Sequence, residues 1–198
     1  LWVYDPETHE MEFSTYFGGS DEEYPPDDIE FDENGVLWLL TRTQSTDLPV
    51  TANAFQSVSG DNDGWGDFML AGFSFAPPTV EYCSYFGGDD IDTPNSLAIK
   101  DSLIYIAGKT DSYDFPVSEN AYDTSNSGPT SKTVLARINW RTNQYAGTFF
   151  GGNRHEQFAQ TLNWVHDSTL TLLGTASSDD LPVTDDAYQT TLRGSSDG

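Results

Sequence analysis

The amino-acid sequence predicts an all-β chain, a β-propeller built from four-stranded antiparallel blades, and three observations carry that prediction. An aromatic-Gly-Gly anchor recurs three times, reading STYFGG to Gly19, CSYFGG to Gly88 and GTFFGG to Gly152. A Pro-centred anchor keeps step with it: TDLPVTANAF to Phe55, YDFPVSENAY to Tyr122 and DDLPVTDDAY to Tyr188. The repeat is about 66 residues long, and each copy holds four short runs of period-2 alternation with no helical period between them.

Each copy places its elements in the same order. After Gly-Gly comes a polar loop, then a short alternating strand carrying Ile29 and Phe31, Leu97 and Ile99, or Leu162 and Trp164. A turn follows at Glu33-Asn34-Gly35, Lys100-Asp101-Ser102 or His166-Asp167-Ser168. The second strand, VLWLLTRT, LIYIAGKT or LTLLGTA, is apolar enough for burial on both faces. The Pro segment leads to a third strand, DFMLAGFSF or TVLARINW, and a fourth aromatic strand runs into the next Gly-Gly. Glycine suits that corner because it tolerates positive φ. Pro49, Pro116 and Pro182 cannot donate to a ladder and belong outside the central strands. Asp47, Asp114 and Asp180, two residues ahead of each proline, are expected to bond a nearby backbone amide in an Asx-type turn. Phe55, Tyr122 and Tyr188 are expected to plug the seams between neighbouring blades.

The phase of the repeat divides the chain at 1–26 (last two strands of a blade and a connecting loop), 27–93 and 94–157 (full blades) and 158–198 (the first half of a further blade). That amounts to about three blade equivalents, where closed propellers have typically four to eight. The expectation is an arc of a larger propeller, with the remainder of that propeller as a partner; the competing reading is that the ends pair into a small ring. Leu1 is not an initiator Met and opens directly into a strand-like LWVY, which suggests a processed or partial chain.

The stretch STYFGGSDEEYPPDDIEFDENGVLWLLTRTQSTDLPVTANAF resembles the SBBP-type β-propeller repeat of bacterial secreted and surface proteins. That family's pattern runs as Ser-Thr-Tyr-aliphatic-Gly-Gly, a Gly-Asn turn, a Thr-Gly strand end, Asp-Phe-Pro and Asp-Ala-Phe, and several spaced elements of the chain match it in order. The chain departs from regularity at Thr41, where the other copies have Gly108 and Gly174, and at Lys132-Thr133, which replaces Asp67-Phe68. The resemblance implies an extracellular or bacterial cell-surface location and a scaffold that binds protein or glycan through its loops.

Composition narrows the partners. Thirty-two acidic against eight basic residues give a formal charge of −24, which repels nucleic-acid phosphates and anionic membranes. No run approaches the roughly 18 apolar residues of a membrane helix, so direct membrane insertion is not expected. Twelve Phe, ten Tyr and five Trp supply core volume despite a hydrophobic content of 36%. Cys83, the single cysteine, excludes an internal disulfide and reads as a buried thiol.

Asp61-Asn62-Asp63-Gly64-Trp65-Gly66-Asp67 is the best candidate for a cation loop, because calcium takes several oxygen ligands on a glycine-turned backbone. Asp61, Asp63 and Asp67 are the candidate metal ligands. An EF-hand would need a Glu at its twelfth position, which here is Gly72, so the alternatives are a simpler calcium-stabilised turn or a solvated acidic turn. The equivalent stretch in the last copy, Arg193 to Gly198, carries fewer acids. The loops after Gly-Gly hold Asp21, Glu22 and Glu23, then Asp89, Asp90 and Asp92, but Asn153-Arg154-His155-Glu156 breaks the series. His9, His155 and His166 fall at unrelated repeat positions, and no Gly-x-Ser-x-Gly elbow or metal-spaced His pair occurs. The expected function is therefore a non-enzymatic scaffold; the alternative is an accessory propeller domain of a larger extracellular hydrolase.

Overall fold

The computed structural model describes residues 1–126, 131–154, 156–166 and 168–194, and within them every regular element is a β-strand. Strands β1 (Trp2–Asp5) and β2 (Glu10–Ser14) form a hairpin; β3 (Asp28–Phe31), β4 (Leu37–Thr43), β5 (Asp67–Phe75) and β6 (Pro78–Phe86) form one four-stranded sheet. A second four-stranded sheet comprises β7 (Asp92–Lys100), β8 (Leu103–Thr110), β9 (Lys132–Asn139) and β10 (Gln144–Phe150), and β11 (Glu156–His166) pairs with β12 (Thr169–Ala176). All pairings are antiparallel between sequence neighbours, and no closed ring of sheets is present among the described residues. Asp167 and residues 195–198, where a turn and a candidate loop were expected, lie outside the described residues, as does His155.

Short polar turns close the hairpins. In the β3–β4 turn Asp32 Oδ1 accepts from the amides of Asn34 at 2.9 Å and Val36 at 3.0 Å, while Gly35 takes a φ of 77° that side chains disfavour. Asn139 plays the same part for β9–β10, accepting from Arg141 and Thr142. Pro49, Pro116 and Pro182 all lie in loops, and Pro94 sits in edge strand β7 beside a bulge, where a missing donor is tolerated.

Period-2 alternation gives each four-stranded sheet two apolar faces. Trp38, Leu40, Phe68, Leu70, Tyr82 and Phe86 point to one side of the first sheet and pack with Leu97, Ile104, Ile106, Val134 and Ile138 of the second. Leu37, Met69, Ala71, Phe73, Cys83 and Tyr85 point to the other side, where Phe17 meets Phe73 edge-on with 4.8 Å between rings. Beyond the second sheet, Ala98 and Ala107 pack with Leu162 of β11. Burial pushes the Cys83 thiol up to about 12, which leaves it an unreactive core group.

Phe55 occupies the seam between the two large sheets, stacked 4.1 Å from the Tyr145 ring and 5.2 Å from Phe86. Tyr122 and Tyr188 do not do the same: they are 70% and 105% exposed. The seam plug needs an aromatic on the fourth strand of the following sheet, as Tyr145 on β10 serves Phe55, and the described residues after β12 include no such strand.

The three Asp residues before the prolines act at long range, in place of the local turns expected. Asp47 Oδ1 accepts from Ser20 N at 2.8 Å, Asp114 Oδ1 from Asp89 N at 2.8 Å and Asp180 Oδ1 from Asn153 N at 2.9 Å. The Ser two residues earlier takes the next amide: Ser45 from Asp21, Ser112 from Asp90, Ser178 from Arg154. A Ser-x-Asp latch thus grips the chain just after Gly-Gly in all three copies. The bonded Ser20 amide holds the Asp47 carboxyl below the usual carboxylate range. The second glycine of each pair is needed for room: a Cβ on Gly88 would lie 2.6 Å from Ser112 Cβ and closer still to Asp114 Oδ1. Within the Gly-Gly pairs, positive φ occurs at Gly18 (153°) and Gly151 (137°).

Gly88→Ala should cost about 1–3 kcal/mol by overpacking, and Asp114→Ala about 1 kcal/mol for the lost bond. Because both act at one contact, urea denaturation of the double variant should show less than the sum of the single effects; simple additivity would mean that the latch does not close on Gly88.

Candidate functional site

The first strands of successive units, β3, β7 and β11, run side by side around a groove of about 410 Å³. None of these strands is hydrogen-bonded to another in a ladder, so each has an open edge. Alternation places Ile29, Leu97 and Leu162 on one side of their strands and Asp28, Ser96 and Thr161 on the other.

Side chains from one inner strand satisfy the backbone of the next. Asp28 Oδ2 accepts from Leu97 N and from Ser96 Oγ, both at 2.9 Å. Glu30 Oε2 accepts from Ile99 N at 3.1 Å, and Ser96 Oγ accepts in turn from Leu162 N at 3.0 Å. Trp164 Nε1 donates to Ile99 O at 3.1 Å. These bonds tie three edge strands together without pairing them, and they fix the groove walls.

The groove is polar and acidic. Asp27, Asp28 and Glu30 line it with Asn95, Asn163 and Trp164. Among the described residues the side chains of Asp27, Asn95 and Asn163 have no hydrogen-bond partner, and they line the groove. Desolvation pushes the Asp27 carboxyl up to about 6, although its side chain remains exposed; Asp28 adds to the rise and Arg42 opposes it. Glu30 is raised by the same desolvation, against the Ile99 amide. The indole of Trp164 lies edge-on to Tyr105 with Lys100 Nζ 5.1 Å from its ring centre. Carboxylates and amides that can exchange hydrogen bonds with hydroxyls, next to an aromatic wall, suit a small hydroxyl-bearing or amine-bearing ligand.

Asp61, Asp63 and Asp67 have separate surroundings. Asp61 closes its own loop, accepting from Asp63 N, Gly64 N and Gly66 N, with Gly64 and Gly66 at φ of 77° and 102°. Asp63 is exposed, whereas Asp67 is fully buried and turned toward Ser59 and Gly60. In the loops after Gly-Gly, Asp21 and Glu22 face solvent, while Glu23 turns inward to accept from Gly19 N, Thr43 Oγ1 and Ser45 Oγ. Among the described residues no group of three or more His, Cys, Asp or Glu gathers around one point. His9 takes the β1–β2 turn at φ 60° and contacts the Tyr4 hydroxyl at 2.7 Å; His166 ends β11.

In the sequence Asp28, Glu30 and Asn163 are legible only as the polar half of an alternation, which ordinarily faces water, and Trp164 only as part of its apolar half. Their convergence depends on how sheets stack, which no local pattern states. No family model, no curated protein and no solved structure matches the chain.

Because Arg42 holds the Asp27 carboxyl down, Arg42→Met should move its titration midpoint above about 6, read by the side-chain carboxyl carbon shift in NMR. The folded-state value lies above the ordinary Asp value of 3.8, so Asp27 contributes stability that is lost as pH rises from about 4 to about 6. Asp27→Asn should remove that part of the pH dependence.

Proposed function

We propose that this chain is a non-enzymatic binding module: an arc of SBBP-type β-propeller from a bacterial secreted or cell-surface protein, which takes a glycan in the groove between its inner strands. The observation that carries the reading is the groove itself, with free polar groups of Asp27, Asn95 and Asn163 beside Trp164 on three successive repeats. A repeat array that brings the same strand of every unit to one axis builds a concave surface there.

Several features support this reading over an enzyme. The Ser96 hydroxyl, which donates to Asp28 Oδ2, also accepts from Leu162 N, so this pair is spent on joining strands. The groove's carboxylates at Asp28 and Glu30 are already engaged with backbone amides, so they serve to hold strands. The strand order of the two four-stranded sheets and the recurrence of the Ser-x-Asp latch favour blades of one propeller, and the anchor residues around Gly19, Gly88 and Gly152 support the SBBP-type reading. A charge of −24 is compatible with neutral or amine-bearing sugars and opposes strongly acidic ones.

Neutral and amine-bearing oligosaccharides titrated into the chain should shift the amide resonances of residues 95–98 and 161–164 by NMR. Trp164→Ala and Asp27→Asn should each weaken the affinity about tenfold, or about 1.4 kcal/mol. Saturable binding that leaves these resonances unmoved, or no binding across the panel, would sink the proposal.

A further inference from the structure

Two aspartates meet where the first four-stranded sheet hands over to the second. Asp67 opens β5, Asp92 opens β7, and both are fully buried. Each uses one oxygen only. Asp67 Oδ2 accepts from Ser59 Oγ at 2.7 Å and Gly60 N at 2.8 Å, with Asp61 N at 3.4 Å. Asp92 Oδ2 accepts from Gly88 N at 2.8 Å and Ser112 Oγ at 3.1 Å. The Oδ1 atoms of both have no hydrogen-bond partner. Gly87 shows how the pair faces: a Cβ there would overlap Asp67 Oδ1 and come within 2.8 Å of Asp92 Oδ2. Neither carboxylate has a basic partner among the described residues. Two buried like charges with bare oxygens are costly, and a native fold resolves such a pair with an ion, a water or a proton.

The neighbouring repeat supplies an independent indication of what is missing. In the β8–β9 ladder Lys132 stands opposite Thr110, as Asp67 stands opposite Thr43 in the β4–β5 ladder. Lys132 is also buried, and its Nζ donates to Asp123 Oδ2 and Ser125 O, both at 2.8 Å. One sheet therefore buries a positive charge at a register where the other buries a second carboxylate. Gln56, which stands in the repeat where Asp123 stands, is neutral and spends its side-chain oxygen on Gly87 N.

We propose that a hard cation, calcium by its preference for carboxylate oxygen, binds between Asp67 and Asp92 and fills at this seam the role that Lys132 fills at the next. The site differs from the Asp61 turn, whose oxygens are spent on its own backbone. Burial pushes the Asp92 carboxyl up to about 8, and the Asp67 charge adds to the rise, which shows that the two carboxyls oppose each other across the seam.

The full 198-residue chain, stripped with chelator, is melted with and without calcium at pH 7. Calcium at about a hundred times its Kd should raise Tm by about 5–10 °C. Calorimetry should show one ion bound per chain. Asp67→Asn and Asp92→Asn remove the repulsion while keeping shape, so each should fold metal-free with a Tm at or above that of the parent and lose the calcium response. No rise and no bound ion in the parent chain would overturn the proposal. A rise that survives Asp92→Asn but disappears in Asp61→Asn would also overturn it, placing the ion in the Asp61 turn.

Discussion

Every four-stranded sheet in this protein is apolar on both faces, and the rest of the structure follows from that constraint. Strand β4 shows it most directly: Leu37 and Leu39 point one way, Trp38 and Leu40 the other, and both sets join apolar clusters. A sheet with one wet face could stand alone with a polar exterior. These cannot, so each must lie between two neighbours, and the connections must turn the chain through a tight corner from one sheet to the next. The Gly-Gly pairs and the Ser-x-Asp latches are the local chemistry of that corner. Their repetition at Gly19, Gly88 and Gly152 reflects one mechanical requirement met three times.

The stacking also decides where polar chemistry can gather. Outer turns at Asp32 and Asn139 spend their side chains on their own loops. The inner strands cannot do so, because the chain enters each of them directly from the corner and leaves one edge unpaired. Asp28, Glu30 and Ser96 cover those edges from the neighbouring strand, and in doing so they draw carboxylates and amides toward a shared groove. The groove is thus a by-product of edge satisfaction, with Asp27, Asn95 and Asn163 along its walls.

Much of the fold was legible in the sequence because its signals are local. Period-2 alternation and the turn at Asn34-Gly35 need only neighbouring residues to be read, and they marked strands that the structure contains. The position of Phe55 at a seam could be anticipated from its recurrence, whereas the exposure of Tyr122 and Tyr188 could not, since a plug depends on the strand that faces it. Asp47, Asp114 and Asp180 read as makers of local turns because Asp before Pro usually is one; their true partners lie 25 to 27 residues away. The pairing of Asp67 with Asp92 was hidden for the same reason, each having appeared as one acid in a separate acidic loop. The substitution of Lys132 for Asp67 was visible from the repeat, but it acquires electrostatic meaning only once the register fixes what that position faces.

The short bonds from Asp28, Glu30 and Ser96 have a consequence for how such a chain behaves at high concentration. A bare sheet edge is a template onto which any extended segment can add itself, and edge-to-edge growth is the usual start of β-aggregation. Here the amides of Leu97, Ile99 and Leu162 are already occupied, and two of the three occupants carry negative charge. An incoming strand would have to displace a carboxylate and then lie against it. Strands β3, β7 and β11 can therefore remain unpaired beside an open groove while their edges resist the addition of a foreign strand.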